Sequence, residues 1–525
     1  MKLFCNMKLP YILLIGLASL AMVSCDDFLD KYPDDRADVD SPDKVQSLLT
    51  SAYSTYSPDF MLEMTSDNVS DNGRDYMCQQ NQQQLYRFEQ VETSGQDDPT
   101  NFWQGQYKAI AVANEALGAL DALEETSMSN AYRAEAKLCR AYAVFRLANT
   151  FCMSYDEATA DSCLGIPYPL KSGEEMKTRG TLRETYDLME KDIEEALATM
   201  DDSYMTVPKY RFNEKAAYAF AARFHLFRHH YEKAIQYANQ ALGGNVSGVL
   251  RNMESYSSLA PEDFGNAYVS SSEPANLMLQ TAYSLNGRAS YYTLFWRYTT
   301  NYNVNYYEVF WAHMPWSSTQ GSSGNTLYEA HRVYGAEYFV YVPKMMEFFE
   351  VLDKVNQTGL AHIVDAVFTT DETLLVRAEA YALTGEYQKA VDDINAWMGA
   401  HCAGKYDSYT LPTMTVASIN SFYNALSYVP VEITDDSQRG IKKKLHPQGF
   451  TILAEAENIL HMILQIRRIE TWHTGARMID IKRYGIEYSH VQDGEPTLIF
   501  KAGDLRGALQ LPIDVISAGL EANPR

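Results

Sequence analysis

The segment from Tyr291 to Trp316 reads YYTLFWRYTTNYNVNYYEVFWAHMPW, and eleven of its twenty-six residues are aromatic. The chain average of 12% would give about three. Threonine and asparagine interleave with the rings. That mixture suits sugar recognition: flat faces cover pyranose C–H groups, and amides bond hydroxyls in pairs. Aromatics also supply large contact area at little rotamer cost. Strand packing explains the same alternation, so some members are expected to face ligand and others the core. The residues assigned to ligand are Trp296, Tyr298, Asn301, Tyr302, Asn303, Tyr306 and Trp311. A second polar candidate is the loop holding Asp67, Asn68, Arg74, Asp75 and Tyr76, ahead of a glutamine-rich run. A solvated loop is the plainer reading of that stretch.

Covalent chemistry has less support. With 68 acidic residues, two carboxylates stand at almost any spacing, so no glycosidase pair is identified. No GxSxG, GxGxxG, P-loop or HExxH motif is present. His225 and His229 stand at i and i+4, a spacing that can hold a metal. Packing accounts for the first and solvent exposure for the second. No catalytic residue, metal or cofactor is expected, and the chain is read as a binder rather than an enzyme.

These candidates need a scaffold, and an internal repeat supplies one. Ala221 to Leu242 and Arg377 to Met398 align without gaps. They share Ala222 with Ala378, Tyr231 with Tyr387, Lys233 with Lys389, Ala234 with Ala390 and Asn239 with Asn395. Small residues let two helices approach closely. Gly385 permits the tight turn between them, with His229 at the same place in the first copy. The pattern is similar to a tetratricopeptide hairpin, whose pairs stack into a superhelix. Helices are also expected over Gln106–Leu123, Asn130–Thr150, Thr181 to about Met200, Tyr210–Arg228 and Ile452–Thr471. Thr181 and Glu184 form a capping-box signature at the start of the third. Two stretches, 245–342 and 401–447, lack helical period and are rich in Ser, Asn, Gly, Tyr and Pro. Their aromatic content argues against disorder.

The N-terminus sets the compartment. Leu9 to Val23 is an apolar run of fifteen residues, about 22 Å as helix, short of the roughly 30 Å a bilayer requires. Met22-Val23-Ser24-Cys25 resembles a bacterial lipobox, with Cys25 as the acylated residue. The acyl chains would tether the protein without spanning the membrane. A formal charge of −24, about −26 without the two signal lysines, argues against nucleic acid as partner. Hydrophobic and charged contents of 46% and 21% are those of a globular protein. Five cysteines remain after Cys5 and Cys25, with no CxxC spacing. Cys152 and Cys163 are close enough in sequence to close a loop, whereas the odd count favours free thiols.

Several segments together resemble the SusD/RagB family of outer-membrane nutrient-binding lipoproteins. Asp27-Phe28-Leu29-Asp30-Lys31-Tyr32-Pro33 is similar to the family's opening "fLd..P". Ala134 to Tyr142 resembles its "aEarflRAyay" helix, followed by Gly165-Ile166-Pro167-Tyr168. Arg467-Arg468-Ile469-Glu470 and Gly475 to Gly485 resemble "ERR.Ef.gEG.R..DlkRwG", and Leu511-Pro512-Ile513 with Asn523-Pro524 echoes the closing motif. Ile466 and Thr474 replace usual acidic residues, so part of the ion network there is expected to be missing. Glu470, Arg477, Asp480 and Arg483 are expected to pair locally.

The resemblance implies a mostly α fold, a tetratricopeptide-like scaffold carrying a large irregular inserted lobe. The expected organisation is a signal peptide (1–24), a lipid-anchored linker (25–40) and an N-terminal helical scaffold (41–244). An aromatic-rich ligand-binding lobe (245–342), a helical repeat (343–400), an irregular insertion (401–447) and a C-terminal helical segment (448–525) follow. The implied function is capture of oligosaccharide at the cell surface and its delivery to a SusC-like TonB-dependent transporter, with the protein held on the outer membrane by its lipid alone. Peptide or glycopeptide binding within the family, a surface glycosidase and a plain assembly scaffold remain open alternatives.

Overall fold

The computed structural model describes residues 39–525 except 290, 292–295, 322–323, 337–338 and 404–409. The signal segment, Cys25 and the family-like opening motif therefore lie outside the described residues.

Five helices build the first part of the scaffold: α1 (Pro99–Asp121), α2 (Ser127–Phe151), α3 (Leu182–Leu197), α4 (Glu214–Phe227) and α5 (Tyr231–Leu242). Four of them start where local chemistry favours it. Pro99 occupies the first turn of α1, where its missing N–H is not needed. Thr181 accepts from the Glu184 amide at 3.1 Å and donates its own amide to the Glu184 carboxylate at 2.8 Å, the expected box. Such a cap is worth about 1 kcal/mol. Asn213 caps α4 by accepting from the Ala216 amide at 3.0 Å.

The expected repeat is present as α4–α5 and as α7 (Thr370–Leu383) with α8 (Tyr387–His401). The turn between helices requires a left-handed residue in both copies: Gly385 has φ +83° and His229 φ +66°. Helix α5 packs against α7, so the two hairpins stack, and fully buried alanines on α4 allow close approach. A third hairpin, α2–α3, has the same internal bond. Arg140 of α2 donates Nε and Nη2 to Asp192 of α3 at 2.7 Å each, and Nη1 to Asn114 of the preceding helix at 2.7 Å. Arg377 of α7 does the same to Asp393 of α8 at 2.9 and 2.6 Å, and to Asn239 of α5 at 2.7 Å. The sequence hides this copy because Arg140 and Asp192 stand 52 residues apart, against 16 for Arg377 and Asp393.

Strands interrupt where helix was expected to continue. Residues 343–369 carry β6 (Phe348–Asp353) and β7 (Thr358–Thr369), so the second hairpin begins only at Thr370. β7 is the centre of an antiparallel sheet, with β2 (Asn276–Ala282) on one side and β6 on the other. Its β-branched and alternating pattern fits a strand half-covered by α4. The strand runs straight into the helix: Thr369 ends β7 and accepts from the Glu372 amide at 3.1 Å to cap α7. Shorter pairs are β1 (Ser70–Asp71) with β3 (Tyr298–Thr299), β4 (Tyr334–Ala336) with β5 (Phe339–Tyr341), and β8 (Tyr488–Gln492) with β9 (Glu495–Phe500).

The C-terminal signature forms α10 (Ala454–Glu470) and α11 (Ala476–Tyr484), with α6 (Tyr302–Glu308) and α9 (Val416–Asn424) coming from the two irregular stretches. Its charges do not all pair locally, as had been expected. Asp480 does take Arg467 at 2.8 Å and Arg483 at 3.2 Å. Arg467 and Arg483 also reach Glu379 of α7, Arg477 reaches Asp67, and Glu470 accepts from Trp397 Nε1 at 3.1 Å. Gly475 starts α11 at φ +71°, and a Cβ there would stand 2.6 Å from Leu62 Cβ. Close approach of this turn to the N-terminal segment is what brings Arg477 to Asp67. The described cysteines are free thiols, Cys152 and Cys163 included. Among the described residues no helix is long and apolar enough to cross a membrane.

Candidate ligand-binding groove

The two irregular stretches meet at α6. Asn301 caps this helix by accepting from the Val304 amide at 3.0 Å, while its Nδ2 donates to Asn72 at 3.0 Å. On a helix, residues four apart share a face. Tyr302 and Tyr306 accordingly stack with centroids 5.2 Å apart and planes 19° apart. Trp311 backs Tyr302 at 5.3 Å and is held from behind, its Nε1 donating to the Ala330 carbonyl at 2.9 Å. Tyr307 meets Tyr306 edge-on at 4.9 Å.

The last residue of α6 anchors it. Glu308 is buried and accepts from Arg439 at 2.8 Å, Lys443 at 3.1 Å and Arg468 at 3.2 Å. Asp67, beside it, accepts from Lys443 at 2.6 Å and from Arg477 through two bonds of 2.7 Å. Burial alone would raise both carboxyls. The Arg468, Arg477 and Lys443 cations outweigh it and hold Asp67 well below the usual range. Lys443, Arg468 and Arg439 bring Glu308 to about 2. Four segments remote in sequence are thus tied under one short helix.

Residues 426–443 form the facing wall. Val429 donates its amide to the Lys442 carbonyl at 2.9 Å, closing the loop on itself. Lys442 lies 4.5 Å from the Tyr428 ring centroid, and Asn303 bridges the walls by donating to Asp436 at 2.6 Å. Two chambers result, sharing Pro430 and Arg439. One, of about 390 Å³, is lined by Asn301, Asn303, Thr434, Asp435 and Ser489 among others. The second, of about 480 Å³, is lined by Tyr307, His313, Gln320, Tyr428 and Gln438. Both fall within the roughly 300–1,000 Å³ of small-ligand sites. An interior cavity of about 130 Å³, between Asp59, Asp365, Arg146 and Arg223, is below it.

The candidate residues separate by burial. Tyr302 is exposed and Tyr306 half-buried, stacked beside the chambers without lining either, while half-buried Asn303 lines the first chamber together with Asn301 and Asp67. Trp296, Tyr298 and Trp311 are core residues. Tyr298 stacks on Tyr86 at 4.6 Å, which stacks on His490 at 3.9 Å. Asn68 is also buried, accepting from Arg468 Nε at 2.8 Å and donating to Glu63 at 3.0 Å. Arg74 turns to the β8–β9 hairpin, where its Nε donates to the Asp493 carbonyl at 2.9 Å; Asp75 is exposed and Tyr76 half-buried nearby. Sequence reasoning missed Tyr307, His313, Tyr428 and Arg439. Tyr307 lay within the aromatic run, and a residue-by-residue helix reading would have put it beside Asn303. Nothing local marks Tyr428 or Arg439, whose role depends on a contact with Glu308 131 residues away.

His229 is half-buried rather than exposed, its ring 5.0 Å from Phe450, and the residue that approaches His225 is His230.

Scaffold and groove define a helical-repeat protein with an open groove built from its insertions. Residues 27–226 match the family model described as SusD-like, "Starch-binding associating with outer membrane". A Bacteroides vulgatus protein superposes with TM-score 0.64 at 17% identity, covering 93% of this chain and 99% of its own. A SusD superfamily protein from Bacteroides thetaiotaomicron gives 0.61 at 17%, over 92% and 100% of the two chains. A SusD-like carbohydrate binding protein from Bacteroides vulgatus gives 0.60 at 16%, over 91% and 96%. No curated protein matches the sequence. The chain has the fold of these SusD superfamily structures, and its first part, residues 27–226, carries the SusD-like family match.

Proposed function

We propose that this protein captures oligosaccharide in the groove between α6 and residues 426–443 and passes it to a SusC-like TonB-dependent transporter. The lipid on Cys25 would hold it to the outer surface of the outer membrane. The observation that carries the reading is the stacked pair Tyr302–Tyr306 on the same short helix whose Asn301 and Asn303 line the first chamber and whose Tyr307 lines the second, opposite Tyr428. Ring faces and amides in one cleft are what a pyranose chain needs. The family description and the sugar-binding relative support the ligand class.

Binding without bond cleavage fits the groove's electrostatics. A glycosidase needs one carboxylic acid kept protonated near neutral pH. Asp67, Asp71 and Asp435 are instead held below their ordinary range, and Glu308 at about 2. The raised carboxyls Asp59 and Asp365 lie by the small interior cavity, both pushed up by burial and Asp59 also by the Asp365 carboxylate.

Affinity electrophoresis of the soluble protein, lacking Cys25, against plant, host and microbial polysaccharides tests the ligand. Retardation by one glycan, lost in Tyr302→Ala and Tyr428→Ala variants of unchanged melting temperature, is expected. Retention of that binding in both variants would overturn the site, and binding of peptides alone would move the ligand class. Detergent extraction of the lipidated protein should co-purify a β-barrel; recovery without one would sink the transporter step.

A further inference from the structure

The α4–α5 turn lies on the scaffold and includes none of the groove residues, yet it gathers metal-ligating groups. His225, in the last turn of α4, is fully buried, and His230 immediately precedes α5. Their Nδ1 atoms face each other at 3.4 Å. Glu190, on α3, places Oε1 3.6 Å from His230 Nδ1. One ligand atom from each of the three residues falls within 4.8 Å of the others. Donors bound to one tetrahedral ion at about 2.0–2.1 Å stand about 3.4 Å apart, so the 3.4 and 3.6 Å separations at His230 Nδ1 are close to those of an occupied site.

The surroundings orient the donors as well. His225 Nε2 lies 3.2 Å from Glu194 Oε1, and Glu194 accepts from the Tyr237 hydroxyl at 2.6 Å. A carboxylate close to the far ring nitrogen favours the proton there and leaves Nδ1 to face inward, as in the carboxylate–histidine pairs of metal sites. Arg228 Nη1 holds the other oxygen of Glu190 at 2.7 Å. The Lys233 ammonium now sits 2.8 Å from Glu190 Oε1 and 2.7 Å from Glu194 Oε1. It is the cation a metal would displace, and its half-exposed stem has room to swing into solvent.

We propose that Glu190, His225 and His230 form a binding site for a first-row transition-metal dication of the zinc type. Two imidazoles and one carboxylate suit zinc, cobalt or copper; calcium and magnesium require oxygen-rich cages. The half-exposed His230 leaves a coordination position open to water. Bound metal clamps α3 to the α4–α5 turn and so joins two stacked hairpins. His229 is not a ligand, because its left-handed backbone sends the ring to Phe450.

Titration of the chelator-stripped protein with zinc chloride, followed calorimetrically, tests this. One equivalent is expected to bind, and cobalt in its place to give the visible absorption of a four-coordinate site. His230→Ala and Glu190→Gln, both with unchanged circular dichroism, should weaken zinc at least tenfold. Lys233→Met should strengthen it severalfold, and His229→Asn should leave it unchanged. Absence of zinc uptake, wild-type affinity in both ligand variants, or equal affinity for calcium would each overturn the proposal.

Discussion

Arg477 donates Nε and Nη2 to the two carboxylate oxygens of Asp67, each at 2.7 Å, across 410 positions of sequence. The same carboxylate holds Lys443, which also bonds Glu308 at the end of the aromatic helix α6. Signature helix, N-terminal loop and both groove walls therefore share one buried ion network. Removing one partner from such a network leaves an uncompensated charge. Arg477→Met should cost about 3–5 kcal/mol in urea unfolding and weaken glycan binding too. Arg74→Ala, which breaks only exposed contacts with Asp493 and Glu495, should change stability by less than about 1 kcal/mol.

The aromatic run divides into core and surface. Tyr302→Ala and Tyr306→Ala should each lower glycan affinity about two- to tenfold, the 0.5–1.5 kcal/mol of a ring contact, with melting temperature unchanged. Trp311→Ala and Trp296→Ala should instead destabilise by about 3–5 kcal/mol, as buried aromatic truncations do. Thermal unfolding beside affinity electrophoresis separates the two groups.

Glu63 carries a pH signature. Burial raises its carboxyl from 4.5 to about 7, only partly offset by Asn68 and Arg468. A carboxyl raised in the folded state contributes stability in full below its unfolded value, and that contribution is lost as pH rises through the folded one. Between pH 4.5 and 7 the wild type should therefore lose on the order of 3 kcal/mol relative to Glu63→Gln, and the difference should level off above that. Urea midpoints across pH 4 to 8 check the slope. Asp67 behaves oppositely, its contribution complete above the ordinary aspartate range and lost only in stronger acid.

Gly385 tests the repeat turn. Its φ is +83°, and a Cβ built there meets nothing within 4 Å. Gly385→Ala should therefore cost only the backbone penalty, about 1–2 kcal/mol, measured by urea unfolding.

Much of the scaffold is legible because its causes are local. Periodicity marks the long helices, the Thr181–Glu184 pair marks one start, and the matched Gly385 and His229 mark the hairpin turn. The third hairpin was hidden by a long connection, since its Arg140–Asp192 bond needs only proximity in space. The strands β6 and β7 fall in a stretch expected to be helical, 343–369, because the neighbouring repeat masks the short alternation of β7 and mostly exposed β6 carries no clear period.

For the groove, the sequence alone determined the composition: an aromatic and amide-rich segment able to hold sugar. It could not say which rings face outward, because Tyr302 and Trp311 have the same chemistry and differ only in what packs over them. Arg477 and Asp67 likewise carry complementary charge in any conformation. Only the close approach of the Gly475 turn to the N-terminal segment decides that they meet, and with them that Tyr428 and Arg439 come to face α6.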